Sequence, residues 1–588
     1  MFEFRKAQKQ AIIQILTAIK EGKTDIFVQA PTGTGKSLIA LELAKIAYER
    51  KGWNSFILTS EKLLQAQYEA DCSLKYDLRY ENAISISGVD NYTCHVNEEK
   101  FSLGHCKLMG LSNRQALALP CAAQCDYLQR WRRAQESPHV IFNYAYYLLQ
   151  MNYVYAMKLG QAAPFHPRPL IICDEAHNLP DVVEGHFACF IDQSMPFKIR
   201  ECQALLDRAG IITPFGTLSM SYYSKLVENA LRIPLSDTQK QYKSLGALYD
   251  ILYNAREIVN SSKKILAGKF NIELPDGDDT SSYIKASQLA LDKVPEAVVK
   301  FFKMADDFKD FTCKLEDYVK IIGEHGIHNM IVESPTPTKR TFHNLSDGML
   351  YLNHLKPFSK VRVYMSATLQ PTNLIDRWGL DPTTTAVITL NSGWDPANSP
   401  VRLCKTANFR HDNGDEATRE AVKMIDEILL KHPGERGIIH TTTYKITQAV
   451  LDASQCRSRL IEYQGTREKM TLLRDIRDLP DDAVLIGPSL TQGVDLPDDL
   501  ARFNIIVKLS YPDVSSRLWS ARLALKKGVY LAETANRLEQ SSGRSTRHAE
   551  DTSVTYILDS RADKFIFSPQ TGKYLSQEFI SRVIAGES

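Results

Sequence analysis

The stretch Ala30-Pro31-Thr32-Gly33-Thr34-Gly35-Lys36-Ser37 decides how the other residues are read. It follows the apolar run Asp25 to Gln29 and precedes a helical pattern over Ser37 to Arg50, so the expected order is strand, glycine loop, helix. Two glycines let a backbone curl until successive N–H groups converge, and a helix amino terminus adds a favourable partial charge at the same place. Such a loop suits phosphate. Thr32, Gly33, Thr34 and Gly35 would form the cradle for ATP, Lys36 would reach its β- and γ-phosphates, and the Ser37 hydroxyl would ligate Mg2+.

Working outward, Gln8 to Ile19 reads as a helix, Ser55 to Thr59 as a strand, and Leu170 to Cys173 as a buried strand that runs into Asp174-Glu175-Ala176-His177. Strand–loop–helix alternation implies a parallel sheet with helices on both faces. An acidic pair by itself is usually a solvated face. Delivered by an apolar strand to the carboxyl edge of such a sheet, it belongs beside the phosphate loop. Asp174 would then hold the magnesium, and Glu175 would orient and deprotonate an attacking water.

The chain has 588 residues, enough for three or four domains at ~150 residues each. Hydrophobic residues make up 44% and charged residues 24%, ordinary values for a globular protein. A net charge of +2 gives no global basic field, so a nucleic-acid groove would need locally placed Lys and Arg. The amino-terminal residues carry no unbroken apolar run of the secretory kind, and Val140 to Met157, broken by Asn143, Gln150 and Asn152, reads as a buried strand plus helix rather than a membrane span. The eleven cysteines suggest a reducing, cytoplasmic setting in which a cysteine cluster serves metal. From 187 to 344 the texture becomes helical. Leu245, Leu248, Ile251, Leu252, Ala255, Ile258 and Val259 keep a helical period, as do Val298, Phe301, Phe302, Ala305, Phe308, Leu315, Val319 and Ile322. Beyond 380, α/β texture returns, with expected strands at Gly437 to His440, Ala483 to Ile486, Asn504 to Lys508 and Val554 to Leu558, and a helix at Glu416 to Leu430.

Two further groupings carry chemistry. Cys94, Cys106, Cys121 and Cys125 crowd one short segment between the phosphate loop and the acidic tetrad, and four soft thiolates suit either zinc or an iron–sulfur cluster. Arg544 and Arg547, in Gln540-Ser541-Ser542-Gly543-Arg544-Ser545-Thr546-Arg547, share a face if helical. That spacing fits either a solvated basic face or arginine fingers on a transferring phosphate.

The loop variant, with Ala30 in place of the usual first glycine, is the form that superfamily-two helicases carry. The Gln540 to Arg547 stretch resembles their last motif, Q-x-x-G-R-x-x-R, and Ser366-Ala367-Thr368 resembles their S-A-T motif. Gln492-Gly493-Val494-Asp495, ahead of Leu496-Pro497, resembles the E-G-x-D-x-P motif of the XPD/DinG branch, with Gln492 in place of Glu. Arg5 and Gln8 match the R-x-x-Q motif that contacts the nucleotide base, and Ile438 to Tyr444 resembles the motif that opens the second motor domain. Around the cysteines, Gly88 to Cys94 is similar to G-R-x-N-Y-x-C, and Cys125-Asp126-Tyr127 through Asn143-Tyr144 is similar to the segment after the fourth ligand.

The resemblance spans almost the whole chain and implies an ATP-dependent DNA helicase of the iron–sulfur XPD/DinG type. Its fold would be α/β, with two RecA-like motor domains: 1–186 joined by 345–378, and 379–588. A [4Fe–4S] insertion at 90–130 would be held by Cys94, Cys106, Cys121 and Cys125, with Cys72 as an alternative ligand, and a helical insertion at 187–344 would stand in place of the Arch domain. The ATP site would combine Arg5, Gln8, the 32–37 loop, Asp174, Glu175 and Asp495 with Gln540, Arg544 and Arg547. The partners implied are single-stranded and forked DNA, traversed 5′→3′ by a monomer without a membrane. An RNA helicase and an ATP-gated scaffold without unwinding are the alternatives. Arg130, Arg132 and Arg133 would be either phosphate contacts or a solvated face.

Overall fold

The computed structural model describes residues 4–31, 33–60, 62–72, 80–108, 111–218, 220–269, 295–345, 355–369, 375, 378–390, 395–409, 414–462, 472, 475–488, 496, 498–525, 527–543 and 550–584. Thr32, Gln492, Asp495, Arg544 and Arg547 lie outside them.

Among the described residues the chain builds two parallel sheets of seven strands each. In spatial order the first holds Thr385–Thr389, Asp25–Gln29, Val361–Ser366, Leu170–Asp174, Ser55–Thr59, His139–Asn143 and Ala83–Ser85. Its central strands Ser55–Thr59, Leu170–Asp174 and Val361–Ser366 are buried along their whole length, which is what helices on both faces of a parallel sheet require, while the edge strand Thr385–Thr389 is partly exposed. The second holds Leu460–Glu462, Val484–Gly487, Gly437–His440, Phe503–Ile506, Val554–Asp559, Val401–Ala407 and Val583–Ile584. The expected helices and strands fall in place within a few residues; the phosphate-loop helix runs Lys36–Lys51 and the amino-terminal helix Lys6–Lys20. The strand Thr385–Thr389 pairs with Asp25–Gln29, so the first sheet reaches beyond residue 378, where its return segment was expected to end.

Register matters more than strand count. Gln29 lies opposite Ser366, and Asp174 lies opposite Met365. The phosphate loop, the S-A-T turn and the acidic tetrad therefore leave the same carboxyl edge on three adjacent strands. Long helices Thr238–Lys269 and Glu296–His325 fill the segment between, and their periodic residues, among them Leu245, Leu248, Leu252, Phe301, Phe308 and Ile322, form one core. That segment is not purely helical. Cys189–Asp192, Lys339–Asn344 and Met330–Thr336 make an antiparallel sheet of three strands at its base, which hydrophobic periodicity did not signal because Lys339–Asn344 is largely polar and Met330–Thr336 does not alternate. Glu333 on this sheet accepts from Ser516 Oγ at 2.7 Å and Leu518 N at 2.9 Å, tying the insertion to the second half of the chain. Among the described residues no helix is long and apolar enough to cross a membrane.

Inside the first sheet, Arg362 and Asp25 are 2% exposed each and meet fork to fork, Nε to Oδ1 at 2.7 Å and Nη2 to Oδ2 at 2.8 Å. Tyr364 Oη donates to the same carboxylate at 3.1 Å. Breaking such a pair strands a charge in a low-dielectric interior. Asp25→Ala is expected to cost about 3–5 kcal/mol, read as a lowered urea midpoint, whereas replacing both partners with apolar residues of similar volume recovers most of the loss.

Candidate nucleotide site and cysteine module

The loop after Gln29 turns through Gly33 and Gly35, at φ 74° and 78°. Both sit in the left-handed region open to glycine, and a Cβ on Gly35 would collide with Gln8 Nε2. Gln8, 4% exposed, donates from that nitrogen to Thr34 O at 2.9 Å, and Arg5 Nη1 donates to Gly33 O at 2.8 Å. The Arg5 amide donates in turn to Gln8 Oε1 at 2.9 Å. The R-x-x-Q pair thus grips the loop by its carbonyls.

The acidic tetrad closes the other side. Asp174 is buried; Tyr68 Oη donates to its Oδ2 at 2.9 Å and the Glu175 amide to its Oδ1 at 3.0 Å. Tyr144 Oη holds its main-chain carbonyl at 2.8 Å. Burial, and then the charge of Glu175, raise the Asp174 carboxyl above its ordinary value. A carboxylate pair that resists sharing negative charge in a buried place is the donor chemistry a divalent cation relieves. Lys36 Nζ stands 3.4 Å from Glu175 Oε1, and Ser37 Oγ donates to Asp71 Oδ2 at 3.1 Å. Glu175 itself is held at φ 52°, a left-handed conformation uncommon for a residue with a side chain.

His177 ties this catalytic edge to the rest. Its Nδ1 lies 2.7 Å from Ser366 Oγ and 3.3 Å from Glu175 Oε2, while Ser366 Oγ donates to Glu175 Oε2 at 3.2 Å. On the other side, His177 Nε2 is 2.6 Å from Gln540 Nε2, which also donates to Thr368 Oγ1 at 3.2 Å. An amide nitrogen only donates, so His177 accepts at Nε2 and carries its proton at Nδ1, toward Ser366. Sequence reading named His177 only as part of the tetrad. The structure makes it the joint between Glu175, the S-A-T turn and the last motif.

The four cysteines come together from separate turns. Cys94 starts a tight loop in which its amide donates to Glu99 O at 2.7 Å and its carbonyl accepts from the Glu98 amide at 2.8 Å. Gly104 lies so close that an added Cβ would sit 2.9 Å from Cys94 Cβ. Cys125 caps the helix Asp126–Glu136. Burial pushes the Cys106 thiol up to about 11, and Cys125, Cys94 and Cys121 each add to that rise, which places all four within one another's fields. Burial raises the Cys125 thiol as well, with the amides of Leu128 and Tyr127 acting in the opposite sense. The donor set fits a thiolate-bound metal centre, although among the described residues no three His, Cys, Asp or Glu side chains already stand in a coordinating arrangement. Cys72 is not part of this group. It packs in a separate core, and burial, Asp71 and Glu69 raise its thiol to about 12. Arg130 is paired with Glu69 at 2.5 Å and Asp126 at 2.7 Å, which favours the structural reading for it; Arg132 and Arg133 are exposed.

Two parallel sheets, with a phosphate loop at the edge of one and Gln540 from the helix Lys527–Ser542 of the other half reaching across to it, make the architecture in which the site sits. Residues 1–184 match the family model described as the type III restriction enzyme res subunit, and residues 425–580 match that of the helicase C-terminal domain. The ATP-dependent DNA helicase CHL1 of Meyerozyma guilliermondii is 22% identical over 438 residues, covering 67% of this chain and 52% of that protein. CHL1 of Scheffersomyces stipitis is 22% identical over 200 residues, covering 30% of this chain and 23% of that protein. The chain thus spans about half or less of the curated relatives it matches. The structure of S. tokodaii Xpd4 superposes with a TM-score of 0.57 at 14% identity, covering 99% of this chain and 100% of that one. A second XPD helicase structure gives 0.58 at 14% identity, covering 98% of each chain. In fold the chain is similar to the XPD structures, and in its two matched regions to helicase and res-subunit models.

Next to Gln540, Glu539 is buried and accepts from the Ser576 amide, which anchors the last-motif helix Lys527–Ser542 to the carboxyl-terminal segment. Burial pushes its carboxyl up to about 7, against 4.5 ordinarily. Because the folded form then holds its proton longer than the unfolded chain, this contribution to stability is full below pH 4.5 and is lost as pH rises through about 7. Glu539→Gln keeps the acceptor and removes the charge. It is expected to stabilise the protein at pH 8 by on the order of 2 kcal/mol, with the gain shrinking steadily toward pH 5 in urea titrations.

Proposed function

We propose that this protein is an ATP-driven helicase that steps 5′→3′ on single-stranded DNA and opens forked duplexes. The observation that carries the reading is the hydrogen-bonded ring through His177. It joins the water-activating carboxylate to the S-A-T turn on one sheet and to Gln540 on the other, so occupancy of the phosphate loop and the mutual placement of the motors share one set of bonds. Residues 1–186 with the segment returning through Thr389, and the chain beyond it to 588, act as the two motors; 90–130 and 187–344 are the cysteine and Arch-like insertions.

In this reading Arg5 and Gln8 meet the base, the 32–37 loop holds the phosphates, and Asp495 takes part in ATP binding. Lys36 leaves Glu175 for the γ-phosphate, and Glu175, steered by Ser366 and His177, takes the proton of the attacking water. Ser37 and Asp174 would hold Mg2+, which when bound supplies positive charge to the phosphate oxygens. Arg544 and Arg547 stabilise the charge that develops on the transferring phosphoryl group. Gln540 exchanges partners as the cleft closes and opens, which turns hydrolysis into a step. Cys94, Cys106, Cys121 and Cys125 hold a [4Fe–4S] cluster that stiffens a wedge at the fork. Grip on the strand is mainly through its backbone, which makes binding salt-sensitive and indifferent to sequence. The protein works as a cytoplasmic, DNA-associated monomer.

Lys36→Ala is expected to lower ATPase and strand separation by about 10²-fold or more with DNA binding retained; equal loss of DNA binding defeats this division of labour. His177→Ala is expected to keep nucleotide binding and lose the stimulation of ATPase by single-stranded DNA, and full stimulation in that variant removes the ring from the mechanism. Anaerobically purified protein is expected to carry about four irons per chain with broad visible absorption. Cys125→Ser is expected to bleach that absorption and cut unwinding more than ATPase; one zinc and no colour would refute the cluster.

A further inference from the structure

Helix Lys62–Ala70 carries no motif, yet it and the residues just after it supply two side chains to the nucleotide site. Tyr68 holds the Asp174 carboxylate, and three residues on, Asp71 accepts the Ser37 hydroxyl proton at 3.1 Å. Asp71 is 4% exposed and Tyr68 is 1% exposed, so neither is a surface side chain, and the Tyr68 contact is made inside the protein. The three carboxylates converge: Asp174, Asp71 and Glu175 all act on the Tyr68 phenol, adding to the effect of its burial.

We infer that Asp71 is a positioning residue for magnesium, acting through Ser37. The inference rests on the reading of the 30–37 loop as a magnesium–nucleotide site. A serine that ligates a cation offers an oxygen lone pair and must send its proton elsewhere. Asp71 accepts the hydrogen bond from that hydroxyl, fixes the rotamer of Ser37 so that the lone pair faces the loop, and makes the oxygen a better donor. Tyr68 does the converse for Asp174, steadying one carboxylate oxygen by a hydrogen bond. One helix end thereby orients both protein ligands of the cation, as outer partners do at metal sites generally, where their loss costs about 10–100-fold in metal affinity.

The test is a titration of a fluorescent ADP analogue with MgCl2, which needs no turnover. Asp71→Ala is expected to raise the magnesium concentration for half-maximal binding about 10-fold or more, with affinity for the analogue in EDTA unchanged. Asp71→Asn, which keeps an acceptor oxygen, is expected to fall between that variant and the wild type. In a Ser37→Ala background the Asp71 substitution is expected to add nothing, because its effect passes through the missing hydroxyl. A magnesium requirement in Asp71→Ala equal to that of the wild type overturns the inference. So does an undiminished effect in the Ser37→Ala background, which would mark a role in folding alone. Should Asp71→Ala not fold, by its urea transition, the Asn variant decides on the same two readings. Failure of the underlying reading shows separately, as wild-type protein that binds the analogue without regard to magnesium, and it takes the inference down with it.

Discussion

The buried fork between Asp25 and Arg362 sets the order of the amino-terminal sheet. It lies between the strand that leads into the phosphate loop and the strand that leads into the S-A-T turn, and it is closed by Tyr364 from the same strand as Arg362. A planar guanidinium accepts only one placement against a carboxylate when both hydrogen bonds form. The pairing of Asp25 with Arg362 therefore fixes the register in which Gln29 meets Ser366. The distances at the catalytic edge depend on that register, since a slip of one residue would turn each side chain to the other face of the sheet.

Around that edge the structure spends its polar groups on orientation. Glu175 is approached by Lys36, Ser366 and His177, and Asp174 by Tyr68 and its neighbour's amide. Each of these partners is itself held: Ser366 by the Thr368 amide, His177 by Gln540. Ser37 is held by Asp71. A site whose acids are placed before substrate arrives avoids reorganising dipoles during the reaction, which is where electrostatic catalysis gains most. The connection through Gln540 makes that placement conditional on the second sheet.

Much of this was legible in the sequence because it is local. The glycine loop, the apolar strand ahead of Asp174 and the helical periods of the insertion are written within windows of a few turns, and the strand expectations at Asp25, Ser55 and Gly437 matched residue for residue. Family motifs carried the order of the two motors. What could not be read is non-local. Tyr68 lies on an unremarkable amphipathic helix and Asp71 just after it, and nothing in that stretch's composition says that its end faces the loop. The base of the insertion pairs strands some 150 residues apart, and two of them lack the alternating apolar signal. Cys72 looked like a spare ligand by proximity in sequence, but the chain turns it into a different core from the one that holds Cys106 and Cys125. Arg544, Arg547, Asp495 and Thr32 rest on motif resemblance alone.

The placement of Val361–Ser366 between Asp25–Gln29 and Leu170–Asp174 also governs how the chain emerges from the ribosome. The earliest strand made has both of its sheet neighbours encoded more than three hundred residues later. The insertion, whose long helices adjoin in sequence, is complete before the first motor can be. Until about two thirds of the chain has been translated, Asp25 lacks its arginine and Leu170–Asp174 presents an open apolar edge, a state prone to wrong pairing. Any fragment that ends before residue 361 therefore lacks the strand that joins the two halves of its own sheet, however complete its motifs look on paper.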